Sequence, residues 1–157
     1  MSTKYWLFKT DPADFAWADL KKSKDKTTFW SGVRNYQARN YLRDEIKQGD
    51  IVLFYHSNED PTAIYGFCEV VKEGYPDSTQ FDPDDSHFFP SATTEKPIWF
   101  MVDIKLKKEF RLPVLLSSIK GNPKLKNVRL LQKGNRLSVM PVTKEEFEEI
   151  VKMGNSE

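Results

Sequence analysis

The sequence predicts an α+β fold, a small mixed, mostly antiparallel and barrel-like sheet with flanking helices. Three observations predict it. Ile98, Phe100, Val102, Ile104 and Leu106 alternate with Trp99, Met101, Asp103, Lys105 and Lys107, the period of a half-buried strand. Two dense apolar stretches, 50–56 and 63–72, flank the turn-forming Ser57-Asn-Glu-Asp-Pro61. Capped helical patterns sit on either side of these strands, at 36–47 and after Thr143. The 157 residues read as one domain, 1–157, with no repeat, low-complexity tract or linker.

The elements follow in order. Lys4-Tyr-Trp-Leu-Phe-Lys9 is an aromatic-rich first strand stopped by Thr10-Asp-Pro12. Asp14 caps a short helix over Phe15 to Lys22, with Phe15, Ala18 and Leu20 inward, and 21–26 is a polar loop. Phe29 to Asn35 leads into the second helix, which Asn35 caps and Gly49 ends. Residues 74–97 carry prolines, aspartates and aromatics without period, a long loop of the kind that is functional or disordered. The strand over 98–107 follows, then a short helix at 115–120, a basic segment and a strand at 137–140. Thr143 and Glu146 form a capping box for a last helix with Phe147, Ile150 and Val151 on one face.

Composition narrows the function classes. Hydrophobic residues make up 39% and charged residues 30%, as in a folded soluble protein, and no apolar run approaches the length of a spanning helix. The N-terminus lacks a basic-then-apolar pattern, so nothing points to secretion. One cysteine makes neither an internal disulfide nor a multi-cysteine zinc site. A net charge of +1 argues against gripping long duplexes by phosphate neutralisation alone, which places any nucleic-acid role in a local patch and a specific pocket. The 4 Trp, 6 Tyr and 11 Phe supply both core bulk and stacking surfaces.

The stretch Trp30-Ser-Gly-Val-Arg-Asn-Tyr-Gln-Ala-Arg-Asn40 sets a flat aromatic beside a glycine and a helix start, where a base stacks or, equally, where Trp30 fills the core and Asn35 merely caps. Arg34, Arg39 and Arg43 form a basic stripe or a solvated face paired with Asp44 and Glu45. Arg129, Lys133 and Arg136 make a second basic cluster around Gly134-Asn135. His56-Ser57-Asn58 at a strand end offers groups that read a base edge or that close a turn. Catalytic readings are weaker. His56 and Ser57 point to opposite faces of a strand, Cys68 sits mid-strand as a core residue does, and Asp82, Asp84, Asp85 and His87 lack the pattern of a calcium or zinc site.

Taken in order, Tyr5-Trp-Leu-Phe-Lys-Thr-Asp-Pro12, the Trp30 stretch, Gly49-Asp-Ile-Val-Leu-Phe-Tyr-His-Ser-Asn58, Glu73-Gly-Tyr-Pro-Asp77, Phe81-Asp-Pro83 and Gly134-Asn-Arg-Leu-Ser-Val139 resemble the EVE domain family over almost the whole chain. The resemblance implies a PUA-like fold related to the YTH readers of methylated adenine. It also implies a monomeric, non-enzymatic module that holds a modified, flipped-out base of DNA or RNA in an aromatic-walled pocket. No cofactor, metal or membrane belongs to that picture. Carried onto this chain, the pocket takes Trp30, Val33, Asn35, Tyr36, His56, Ser57, Tyr75 and Ser138, with Arg34 nearby for phosphate. Met140 departs from the pattern, which places a polar residue such as Gln before the proline. The chain lacks the basic tail of the family's nuclear relative, so it reads as a stand-alone bacterial-type protein of the cytoplasm, or of the nucleus if eukaryotic. The alternative is an enzyme acting on a nucleotide or small modified metabolite through His56, Ser57 or the aspartate loop.

Overall fold

The computed structural model describes residues 3–155. Six strands form one sheet: β1 (Tyr5–Thr10), β2 (Thr27–Phe29), β3 (Ile51–His56), β4 (Ala63–Pro76), β5 (Phe100–Leu115) and β6 (Val139–Val142). They run in the order β2-β5-β4-β3-β1-β6. β1 and β3 pair in parallel and the other neighbours antiparallel, as a mixed, mostly antiparallel sheet requires.

The expected barrel does not close. β2 and β6 lie at opposite ends of the order and share no ladder. β2 spans only three residues, and β6 carries Pro141, which has no N–H to donate, so neither edge offers a run of donors long enough to join the other. Curvature comes instead from β4 and β5, 14 and 16 residues long, whose register shifts repeatedly between Ile64 and Tyr75. At Gly66, beside one of these shifts, an added Cβ would run into the Lys108 carbonyl oxygen and lie 2.8 Å from the Trp17 ring. The bare backbone there lets β5 and Trp17 close over β4.

Several boundaries differ from the sequence expectation, each for a local reason. Helix α1 is Trp17–Lys22, and the Asp19 carboxylate, not Asp14, accepts from the backbone at its start, from Ala16 N–H at 2.8 Å. Trp17 and Leu20 are therefore its buried face, and Ala18 is exposed. Helix α2 (Tyr36–Asn40) passes into a π turn over Tyr41–Glu45, and Asn35 caps it as expected, its Oδ1 accepting from Ala38 N–H at 2.9 Å. Ala38, Leu42 and Ile46 bury one face at helical spacing. β5 begins at Phe100 rather than 98 because the Ile98 and Trp99 N–H groups bond to the Gln80 side chain instead of a strand. β6 lies two residues beyond its expected place. Helix α3 spans Leu116–Lys120, and helix α4 (Lys144–Asn155) opens on the expected capping box. Thr143 Oγ1 accepts from Glu146 N–H at 3.1 Å, and Glu146 Oε1 accepts from Thr143 N–H at 3.0 Å.

β1 and β3 run through the middle of the core, where Trp6, Leu7, Phe8, Val52, Leu53 and Phe54 are buried. The buried Asp50 ties them together at one end, accepting from Trp6 Nε1 at 3.0 Å, Lys4 N–H at 3.1 Å and Lys47 N–H at 3.0 Å. α4 covers one face, with Phe147 stacked on Tyr5 at 4.6 Å and edge-on to Phe67 at 5.2 Å. Among the described residues, no helix is long and apolar enough to cross a membrane. The other ends of β1 and β3, at Thr10 and His56, point toward the site.

Gly66→Ala tests the close approach of β4, β5 and Trp17. Forcing a methyl group into filled space costs about 1–3 kcal/mol, so the thermal midpoint should fall by several degrees. An unchanged midpoint would mean that the strands part without cost.

Candidate functional site

A cleft of about 760 Å³ opens at the ends of β1 and β2. Lys9 and Thr10 supply one wall, the turn Asp11–Phe15 a second, Thr28–Arg34 a third, and Ser86, His87 and Ser138 close the remainder. Strand alternation sets the aromatics. Trp30 donates its backbone N–H to Val102 at 2.8 Å and turns its ring into the core, 5.2 Å from Phe8 and 5.6 Å from Phe54. Its neighbour Phe29 faces outward on the rim and is 55% exposed. Phe15 meets Trp30 edge-on at 6.4 Å. Trp30 is 7% exposed, a core side chain, as one of the two sequence readings had it, that also lines the cleft.

The third wall is fixed by one buried carboxylate. Asp77 accepts from Gly32 N–H at 2.7 Å, from Arg34 Nη1 at 3.2 Å, and from Thr79 through its N–H at 2.8 Å and its hydroxyl at 2.6 Å. Arg34 also donates to the His87 carbonyl from Nε and Nη2, to the Val33 carbonyl and to Thr79 Oγ1, so all five of its N–H groups have protein acceptors. The guanidinium lies 5.3 Å from the Trp99 ring centroid. Its role here is to clamp the 77–87 segment onto the Trp30 segment, and a phosphate would have to compete with those bonds. Gly32 sits at φ +83°, and a Cβ there would come within 2.9 Å of the His87 ring, so glycine is needed for both conformation and contact.

Of the nine residues singled out by the sequence, Trp30, Val33, Arg34 and Ser138 line this cleft. Asn35 caps α2, and Tyr36 lies on Trp99, ring centroids 4.8 Å apart. His56 is buried, its Nε2 accepting from Trp17 N–H at 3.0 Å and its Nδ1 facing Glu59 Oε2 at 2.9 Å, which assigns the proton to Nδ1. Ser57 donates to the Thr10 carbonyl from its N–H at 2.8 Å and its hydroxyl at 3.2 Å. These two residues fasten the strand end, the second of the roles the sequence left open. Tyr75 donates to Asp103 and carries Lys72 over its ring at 3.8 Å. Burial, and then the Asp103 carboxylate, push its hydroxyl up from the usual range. Arg43 pairs with Asp44 at 2.8 Å, the solvated-face arrangement. Met140 is buried in β6 and offers the rim nothing polar.

The sequence reading missed Phe29, Phe15, Lys9, Asp11, Asp14 and His87. The signal for Phe29 was present: in Thr27-Thr-Phe-Trp30 a period of two sends Phe29 and Trp30 to opposite faces. Nothing local announced the others, which converge only when β1, its following turn and the 77–87 segment meet. Burial lowers the Lys9 ammonium from its usual range, so the polar lining, which also holds Asp11 and Asp14, includes a partly desolvated cation. Among the described residues the Ser31 and Ser138 hydroxyls have no protein partner, and no cluster of His, Cys, Asp or Glu could hold a metal ion. The lining combines the aromatic surface of Phe15, Phe29 and Trp30 with polar groups such as Lys9, Ser31 and Ser138.

The model of the EVE domain matches residues 4–153. The chain belongs to the EVE domain family. Thymocyte nuclear protein 1 of Gallus gallus is 41% identical, over 95% of this chain and 68% of its own length. A solved structure of a Pseudomonas syringae protein is 42% identical, with TM-score 0.89, covering 95% of this chain and 98% of that one. The structure of human THYN1 protein in complex with DNA containing 5-methylcytosine is 38% identical, with TM-score 0.91, covering 99% of both chains. This EVE domain therefore shares its fold with these two solved structures.

Asp77→Asn tests the clamp. It keeps the shape but puts an amide where Gly32 and Arg34 both need an acceptor. Loss of these charge-assisted bonds should cost about 2–4 kcal/mol and shift the Gly32 amide resonance upfield. A variant with native stability and an unmoved Gly32 resonance would remove Asp77 from this role.

Proposed function

We propose that this EVE domain is a non-enzymatic reader that binds DNA carrying a modified base and holds that base, turned out of its stack, in the cleft bordered by Phe29 and Trp30. The observation that carries the reading is the human THYN1 structure in complex with 5-methylcytosine-containing DNA, which matches this chain along 99% of its length. The cleft volume of about 760 Å³ falls in the range of small-ligand sites, about 300–1,000 Å³. Phe29 supplies an exposed face for stacking, and the unpartnered Ser31 and Ser138 hydroxyls, with Lys9, supply edge contacts.

Three groups weighed for catalysis, His56, Ser57 and Cys68, are otherwise engaged. Both ring nitrogens of His56 have protein partners, Ser57 is bonded to the Thr10 carbonyl, and burial pushes the Cys68 thiol up, away from the nucleophilic thiolate. A reader needs none of these. It needs a rigid slot and a favourable exchange: turning out a base costs a few kcal/mol, and stacking on an aromatic returns about 1–3 kcal/mol.

The test is competition between duplexes that differ in one methyl group. Burying a methyl contributes about 0.8 kcal/mol, so 5-methylcytosine should be preferred over cytosine several-fold. Phe29→Ala, on an exposed rim, should leave the melting temperature within a degree or two and lower affinity about ten-fold. Equal affinity for both duplexes would remove the reader assignment, and unchanged binding by Phe29→Ala would move the base away from this cleft.

A further inference from the structure

Saturation of Arg34 leaves open what meets the phosphates on either side of the bound base. A groove of about 370 Å³, reached from the cleft at the next residue along the chain, is lined by Arg129, Lys133 and Arg136 together with side-chain amides such as Gln37 and Gln132. We infer that this groove is the phosphate-backbone site for the DNA strand whose base enters the cleft. The inference rests on the reader assignment for its ligand, but on separate residues for its geometry.

Four observations carry it. First, no carboxylate lines the groove, and among the described residues none of the three cations has an ion-pair partner. On other surfaces Lys21, Lys105, Lys107 and Lys124 are each matched with an acid. In a chain of net charge +1, three unmatched cations in one groove are a local field without a protein counter-charge. Second, the loop that bears them is built and not loose. Asn135 donates its side-chain amide to the Arg129 carbonyl at 2.9 Å and its N–H to the Gln132 carbonyl at 3.1 Å, and its Oδ1 accepts from Leu137 N–H at 3.2 Å. Gly134, at φ +78°, makes the reversal that this closure needs.

Third, groove and cleft are lined by consecutive residues at two places in the chain. Arg34 lines the cleft and Asn35 the groove, while Ser138 lines the cleft and Leu137 the groove. A ligand spanning both must therefore be a chain with a planar group in one compartment and anionic groups at the next, which a nucleic-acid strand is. Fourth, carboxamides interleaved with cations suit phosphate oxygens, which accept hydrogen bonds from neutral and charged donors alike. An acidic protein segment would also answer the charge, but not the continuity with an aromatic-rimmed cleft.

The experiment compares the wild type with Arg129→Gln/Lys133→Gln/Arg136→Gln, and with Lys133→Gln/Arg136→Gln, which changes only exposed positions. Affinities for duplexes with 5-methylcytosine or cytosine are measured between about 50 and 250 mM NaCl. Each phosphate contact contributes about −0.9 to the slope of log affinity against log salt on duplex DNA. The triple variant should lose about ten-fold or more in affinity at the lowest salt, and its slope should flatten by about two to three units. The methylcytosine-to-cytosine ratio should stay at the wild-type value, because the cleft is untouched. A native melting temperature in the double variant, with a smaller loss of the same kind, removes misfolding as the cause. Unchanged affinity and slope in both variants overturn the groove while leaving the reader standing. Flattened slopes with no preference for methylcytosine in any protein overturn the reader and keep the groove. No binding by the wild type at any salt overturns both.

Discussion

The buried carboxylate of Asp77 is the constraint on which the site depends. A charge with no exposed surface must be fully hydrogen-bonded, since burying it unpaired costs several kcal/mol. Asp77 meets that demand with the Gly32 amide, two donors of Thr79 and the Arg34 guanidinium. Satisfying one acid therefore draws the segment after β4 onto the segment after β2. Arg34 then reaches the His87 carbonyl and brings that end of the segment to the cleft. A second buried polar group, Gln80, completes the closure. Its amide donates to the carbonyls of Asp77 and Trp99, and its oxygen accepts from the N–H groups of Ile98 and Trp99. The long segment between β4 and β5 is ordered by this polar satisfaction together with the buried Trp99, which packs against Phe89 and Tyr36.

That organisation explains how a site with little burial of its own can be rigid. Phe29 is exposed, yet it is an end residue of a strand whose next residue, Trp30, is locked among Phe8, Phe15 and Phe54. The rim inherits the stiffness of the core through one peptide unit. The opposite wall is similarly tied, because Ser138 accepts from Lys9 N–H at 2.8 Å and so extends the β1–β6 ladder up to the cleft mouth. A cleft held in this way needs little reordering on binding.

The arginines illustrate how charge in the sequence divides into different uses. Arg34, Arg39 and Arg43 recur at near-helical spacing, but Arg34 lies before α2 and is spent on the clamp. Arg39 donates to the Ile98 carbonyl at 2.7 Å and crosses the Tyr36 ring, and Arg43 pairs with its neighbour Asp44. A stripe on paper becomes three unrelated contacts. Arg129, Lys133 and Arg136 also stand at helical spacing, yet no helix carries them, and one closed loop gathers them into a groove. Spacing predicts neighbours only where the backbone is regular.

Much of this protein was written locally. The alternation around Val102 and Ile104, the apolar run of β3, the Asn35 cap and the Thr143–Glu146 capping box each depend on residues a few positions apart, so the sequence alone determined the α+β class and most elements. The ordered motifs from Tyr5 to Val139 were specific enough to identify the EVE resemblance, which the match over residues 4–153 establishes. What tertiary structure decided is everything set by residues far apart in the chain. The parallel pairing of β1 with β3, the failure of the edges to meet, and the length of β5 depend on strands brought together across loops. So does the site. Trp30, Val33, Arg34 and Ser138 came from the sequence, whereas Lys9, Phe15 and His87 join them only through folding. His56 and Ser57 were chemically plausible for a pocket, but the ends of β1 and α1 present unpaired backbone groups that had to be satisfied, and these side chains were nearest. A side chain's chemistry can be read from its name; whether it faces a ligand or a backbone amide is settled by which distant segment folds against it.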